Sequence, residues 1–280
     1  MQSVNIVDNN LKDLKKSKLE MSILFTENGL SYSIYHREEN KILSLKSFEF
    51  EKNKDYFSQI SNIIAKIIDV ENPYDLVQFV IAHNEQTIVP DAIFDKDNIK
   101  KYWQLNFEIK PDKELLSYYL NRAKSFIIFS LEKNIIELIN NYKAKINIIP
   151  SSAYFVEFNL KRNKLVKNPE LERVYVQVYE NYAEIILLQN HSLRLFNTFI
   201  YKTQNDLLYH IINLYEQLKI SQTNSELVLS GFVETNSLLV LNLKKFVNLV
   251  CFESQNNDYK YFYKFQDIAP HYYFYSFNFA

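Results

Sequence analysis

Two short motifs are the first places to look for chemistry in this chain. Thr26-Glu27-Asn28-Gly29 and Tyr179-Glu180-Asn181-Tyr182 each set a carboxylate beside a carboxamide at what reads as the tip of a β-hairpin. A turn carboxylate can ligate a cation, and successive turn amides can cup an anion. Both connections read as minimal two-residue turns, which leave no loop of amides to wrap an anion, so Glu27 and Glu180 are assigned as solvated turn residues. Ser230-Gly231, at the end of an apolar run, is a third candidate, and a lone Ser-Gly behind a strand is commonly a plain turn.

Other chemistry-bearing residues fall to similar arguments. Asp91, Asp95 and Asp97 lack the further oxygen ligands and turn glycine of a calcium loop, and they suit helix capping before Asn98. His36, His83, His191, His210 and His271 include no pair at the three- or four-residue spacing of a helical zinc site. Cys251 is the only cysteine, which excludes an internal disulfide and suits a reducing compartment; it reads as a small buried residue in the apolar run Phe246 to Phe252. No Gly-x-Ser-x-Gly elbow is present, and no catalytic residue, metal ligand or bound cofactor is assigned.

Composition narrows the classes further. The 280 residues carry 32 Lys plus Arg against 33 Asp plus Glu, a net charge of -1, so no overall field holds a polyanion and nucleic acid is a poor partner. The longest apolar stretch, Leu238 to Phe252, is broken by Lys244 and Lys245, and no membrane span is expected. Polar residues at Asn9, Asp13 and Lys15 interrupt any signal-peptide core, and a cytoplasmic location follows as the expectation. There are two glycines where average usage predicts about 20. Any function that needs a glycine-rich loop is therefore excluded.

The elements that position the two hairpin tips repeat along the chain. Leu19 to Thr26, Leu30 to His36 and Ile42 to Phe50 read as a β-meander, with Asn28-Gly29 as the hairpin signal. A helix follows with Phe57, Ile60, Ile63, Ile64 and Ile67 on one face, then a strand from Asp75 to Ala82. The same order returns: Arg173 to Tyr179, Tyr182 to Leu188 and Ser192 to Tyr201 as strands, Leu207 to Leu218 as a helix, and Glu226 to Ser230 as a strand. Asp55 and Asp206, Ile60 and Ile211, and Ile67 and Leu218 are all 151 positions apart, the mark of a duplicated βββαβ unit.

Between the copies, Val89-Pro90-Asp91 opens a less regular region, with helical runs expected around Asn98 to Trp103 and Glu114 to Leu120. A strand at Phe126 to Ser130, a helix at Glu132 to Tyr142, a strand at Ile146 to Ile149 and a helix at Ala153 to Leu160 complete the first half, and Lys161 to Glu170 reads as the linker. The expected organisation is a flexible N-terminal arm over 1–18, a first lobe over 19–168 and a second over 169–280. The tail from Tyr259 to Ala280 is dense in tyrosine and phenylalanine. Such residues pack a core or form an aromatic-rich surface for a protein partner or a second copy.

The repeated βββαβ unit resembles the ribonuclease-H-like unit that builds the actin and sugar-kinase superfamily, so the expected fold class is α/β with two such lobes in an actin-like ATPase architecture. More closely, the chain is similar to an uncharacterised bacterial family with that fold. The likeness lies in Thr87 to Phe94, Phe126 to Phe129, Asn205 to His210 and Leu229-Ser230-Gly231. The resemblance implies a nucleotide cleft between the lobes, held by an Asp-x-Gly hairpin in each lobe and a glycine-rich turn after the second lobe's fourth strand. Here neither hairpin reads Asp-x-Gly, and Tyr182 stands where a phosphate would approach. The expectation is a catalytically degenerate scaffold or interaction protein. The alternative is a nucleotide or small-molecule binder whose interlobe cleft would use Asn28, Asn181, Ser230 and Gly231; an ATPase or phosphotransferase ranks last.

Overall fold

The computed structural model describes residues 4–68, 74–142, 145–165 and 168–278. A short strand β1 (Asn5–Val7) precedes the meander β2 (Leu19–Thr26), β3 (Gly29–His36) and β4 (Lys41–Glu49), which is followed by α1 (Tyr56–Ile67) and β5 (Leu76–Ile81). Strand β2 pairs antiparallel with β3 and parallel with β5, so α1 is the crossover that returns the chain to the sheet. Its start is fixed by the Asp55 carboxylate, which accepts the Ser58 N–H at 2.7 Å. Ile60 and Ile64, four residues apart, bury its inner stripe.

The chain then forms β6 (Gln86–Pro90), α2 (Ile99–Gln104), β7 (Lys113–Leu120), β8 (Ser125–Glu132), α3 (Lys133–Asn140), β9 (Ile146–Pro150) and α4 (Ser151–Asn163). The second lobe contains β10 (Glu172–Val178), β11 (Tyr182–Gln189), β12 (Ser192–Ile200), α5 (Gln204–Gln217), β13 (Ser225–Gly231), α6 (Leu238–Phe246) and β14 (Leu249–Phe252), and the chain closes with β15 (Lys260–Tyr261) and α7 (Phe274–Phe277). The sheet orders β4-β3-β2-β5-β9 and β12-β11-β10-β13-β14 are the same path. The repeat extends to an irregularity: the register slips between Ile34 and Tyr35 in the first meander and between Leu187 and Leu188 in the second. Asp55 and Asp206, matched by spacing, do different work. Asp55 caps α1, whereas Thr203 caps the longer α5 and Asp206 closes its capping box.

Several expectations are corrected. Glu114 to Leu120, read as helical, is strand β7, and Val89-Pro90, read as opening an irregular region, closes strand β6; with β8 they make a three-stranded sheet ordered β6-β8-β7. Pro90 sits at the end of an edge strand, where a missing N–H costs no ladder bond. Trp103, 1% exposed, packs beneath with Val89 and Ile128. The start of the expected linker is helical, since α4 runs to Asn163; residues 166 and 167 lie outside the described residues.

The N-terminal segment is not a free arm. Ile6 pairs with Leu45 across β1 and β4, and Val4 and Ile6 join a core cluster with Tyr35, Ile42 and Phe265. Phe262, Phe265, Tyr273 and Phe277 of the aromatic tail belong to the same cluster, and Phe274 and Tyr275 to the core shared by the two lobes. Phe262, Phe265, Tyr273, Phe274, Tyr275 and Phe277 are buried, so of the two roles expected for the tail most of its aromatic residues take core packing, while Tyr263 stays exposed. Phe279 lies outside the described residues. Pro270 does open a helical turn, and β15 adds to the edge of β4. Cys251 is half-buried in β14, its thiol 3.3 Å from Glu226 Oε1, and burial foremost, with that carboxylate beside it, pushes its pKa up to about 12.

Candidate functional site

The two hairpin tips meet. In the first lobe Thr26 and Gly29 are the last paired residues of β2 and β3, leaving Glu27 and Asn28 as the connection. Gly29 is required by packing: a Cβ there would lie 2.4 Å from the Phe48 carbonyl oxygen of β4. In the second lobe Tyr179 N–H donates to Tyr182 O at 2.9 Å, leaving Glu180 and Asn181 at the tip. Each tip is held to its third strand in the same way. Asn28 O accepts from Phe50 N–H and Asn181 O from Tyr201 N–H, both at 2.9 Å. Across the gap, Asn181 Nδ2 donates to Glu27 Oε2 at 2.8 Å.

That contact closes the place where the two lobes face each other. The crevice between the tips holds about 10 Å³, room for no more than a water molecule. Tyr179 and Tyr182 fill the space behind it, with ring centroids 4.3 Å apart and planes 15° from parallel. The Tyr179 hydroxyl lies 2.6 Å from that of Tyr275 and donates to Ser151 Oγ at 3.0 Å.

Deeper still is a fully buried carboxyl, Glu184 on β11. It accepts from Gln86 Nε2 at 2.8 Å, Ser151 Oγ at 3.2 Å and Tyr275 OH at 3.4 Å. Ser152 Oγ in turn donates to Gln86 Oε1. Removal from water outweighs these donors and raises the Glu184 pKa to about 7. The network joins β6, α4, the β10–β11 connection, β11 and α7, and so ties both lobes and the tail at one point. It went unrecognised in the sequence, although a lone carboxylate inside Tyr182-Ala183-Glu184-Ile185-Ile186 is the kind of residue that must find buried partners.

Of the four residues proposed for a cleft, Asn28 and Asn181 come together at the crevice. Ser230 and Gly231 stand behind it, at the end of β13, and Phe232 is the residue that reaches the crevice wall. Ser230 is buried, with Oγ 2.5 Å from Gln177 Oε1. Gly231 has φ 84° and a Cβ there would fall 2.0 Å from Val178 O, so its role is to let the backbone pass. A larger pocket of about 480 Å³ lies on the second-lobe side, between the starts of α5 and α6. Two amides lining it already carry an anion: Asp206 Oδ2 accepts from Lys202 and Thr203 N–H at 3.0 and 2.9 Å. Asp95 likewise caps its own turn through Asp97 N–H and Asn98 Nδ2.

Among the described residues no group of three or more His, Cys, Asp or Glu is arranged to hold a metal ion. No helix among them is long and apolar enough to cross a membrane.

Comparison with known proteins agrees with this architecture. The structure superposes on a Bacteroides thetaiotaomicron protein with an actin-like ATPase fold and unknown function, with a TM-score of 0.79 at 22% identity, over 87% of this chain and 95% of that one. It is also similar to a chain of the PilM-PilN type IV pilus biogenesis complex, with a TM-score of 0.63 at 8% identity, over 92% of this chain and 96% of the other. No curated protein matches it. Residues 8–250 match the family model described as protein of unknown function DUF3822. The fold is thus actin-like, and the chain belongs to the DUF3822 family.

Proposed function

We propose that this protein is a non-catalytic actin-like module that works by binding other proteins. The observation that carries the reading is the closed interlobe crevice. The Glu27–Asn181 hydrogen bond spans it, and Tyr179, Tyr182 and Tyr275 occupy the space behind, where the resemblance to actin-like ATPases would place a nucleotide. In the second-lobe pocket the Lys202 and Thr203 amides are committed to Asp206. A binding role is supported by an apolar surface on the second lobe, where Leu238, Leu241, Phe246 and Leu249 of α6 and β14 lie exposed with Tyr209 of α5. The PilM-PilN complex is an instance of this fold in a protein–protein assembly. A reducing compartment, the cytoplasm, suits the single thiol.

Isothermal titration with ATP and ADP, each with and without Mg²⁺, tests the reading. The expected outcome is no saturable heat. Saturable Mg·ATP binding that is lost in Tyr182→Trp, a larger plug at the same point, would sink it.

A further inference from the structure

A pocket of about 310 Å³ lies within the first lobe, next to the closed crevice and sharing Glu27 with it. Hydrocarbon from Phe25, Ile60, Ile81 and Ile135 lines one part. The rest is polar: Glu27, Tyr56, His83, Lys113, Ser130 and Glu132.

The charges around it do not cancel. Lys113 Nζ lies 3.5 Å from Glu132 Oε1 and 3.7 Å from Glu85 Oε2, and Lys110 Nζ lies 2.7 Å from Glu85 Oε1. Glu27 is bonded to the neutral Asn181 amide. Burial and then the Lys113 ammonium 3.3 Å from its Nε2 push the His83 pKa down, while its Nδ1 accepts the Glu85 N–H. Of the charged groups that line the pocket, the carboxylates Glu27 and Glu132 face the single ammonium of Lys113, leaving one negative charge, while Glu85 and Lys110 outside it pair with each other. Glu27, Tyr56 and Glu132 line the same pocket.

A second observation points to a ligand. Ser130 is 3% exposed, it stands between this pocket and a water-sized void beside Trp103, and its Oγ has no hydrogen-bond partner. A buried hydroxyl left unpaired is costly, and a polar atom entering the pocket would relieve it.

We infer that this pocket binds a primary ammonium group carried on an apolar body. The ammonium sits between Glu27 and Glu132 beside Tyr56, and the hydrocarbon lies against Phe25, Ile60 and Ile135. An anion meets the residual negative charge. A metal ion meets Lys113, which already stands between Glu85 and Glu132. A monocation with a hydrocarbon chain satisfies charge, floor and hydroxyl together.

Saturation-transfer NMR with n-hexylammonium, 1-hexanol and hexanoate as probes tests the assignment on the full chain. Hexylammonium is expected to bind saturably, about tenfold more tightly than hexanol, with hexanoate weakest. In the double variant Glu27→Gln, Glu132→Gln the preference for the amine should fall by about tenfold, with the melting curve as a check on folding. Glutamine at 27 can still accept from Asn181. The proposal is overturned if hexanoate binds as well as hexylammonium, if no probe saturates, or if the folded double variant keeps the amine preference. Should that variant not fold, the order of the three probes on the natural chain decides alone. Nα-acetyllysine methylamide separates two sources of the same chemistry: binding tighter than hexylammonium assigns a lysine side chain of another polypeptide, and weaker binding assigns a free amine.

Discussion

Glu184 is a carboxyl that the fold holds in water-free surroundings, and its ionisation is linked to folding. With the folded pKa near 7 and the unfolded one near the ordinary 4.5, the folded state keeps a proton that the unfolded chain releases between those values. Its contribution is therefore complete below about pH 4.5 and is lost as the pH rises through 7. Replacing Glu184 with glutamine keeps one acceptor and one donor in place and removes the ionisation. Glu184→Gln is expected to match the natural protein near pH 5 and to exceed it at pH 8 by on the order of 2 kcal/mol in urea melts. An equal difference at both pH values would refute the linkage. At this scale the sequence was partly legible. Asn28 and Asn181 were visible as turn residues and do meet, but their contact depends on two tips brought together by separate sheets, which no local pattern encodes. Ser130, Gln86 and Ser151 carry no periodic signal at all.

At the scale of elements, both glycines of the chain turn out to be steric necessities: Gly29 lies against β4, and Gly231 lies against β10. Gly29→Ala places a methyl group 2.4 Å from the Phe48 carbonyl, and backbone cannot swing aside as a side chain can. The expected cost is about 2 kcal/mol in chemical unfolding, with strand β4 displaced. An unchanged midpoint would show that the meander yields there. The meanders and crossover helices were readable because their apolar spacing repeats over many residues. The spacing between matched residues is 153 at the hairpin tips, Glu27 to Glu180, and about 151 from the third strand on, because the connection between the second and third strands spans 37–40 in the first meander and only Asn190 and His191 in the second. Strand β7 was misread since Glu114 to Leu120 is a short run whose Leu and Tyr pairs suit either period, and only pairing with β8 decides it. Strand β1 has too few residues to show any period, and what fixes it is the open edge of β4.

For the molecule as a whole, the decisive feature is a hydrophobic core that does not stop at the lobe boundary. One cluster runs from Ile23 and Phe79 of the first sheet through Phe155 and Val156 of α4 to Ile186 and Leu188 of the second sheet, and it includes Phe274 and Tyr275 of α7. Phe274 is the centre of that span. It is 1% exposed and meets Phe155 and Phe158 edge-on, with centroids at 5.8 and 5.3 Å. Lobes that share a core in this way unfold together, and they resist the hinge opening that would admit a ligand between the tips. Phe274→Ala should remove about 3 kcal/mol and leave a cavity at the junction. Differential scanning calorimetry of the natural protein should show one transition, and the variant should move it as a whole because both sheets lose the same support. A variant trace that splits, with one lobe melting early and the other unmoved, would mean that α4 and α7 merely lie between two independent domains and that the crevice is free to open.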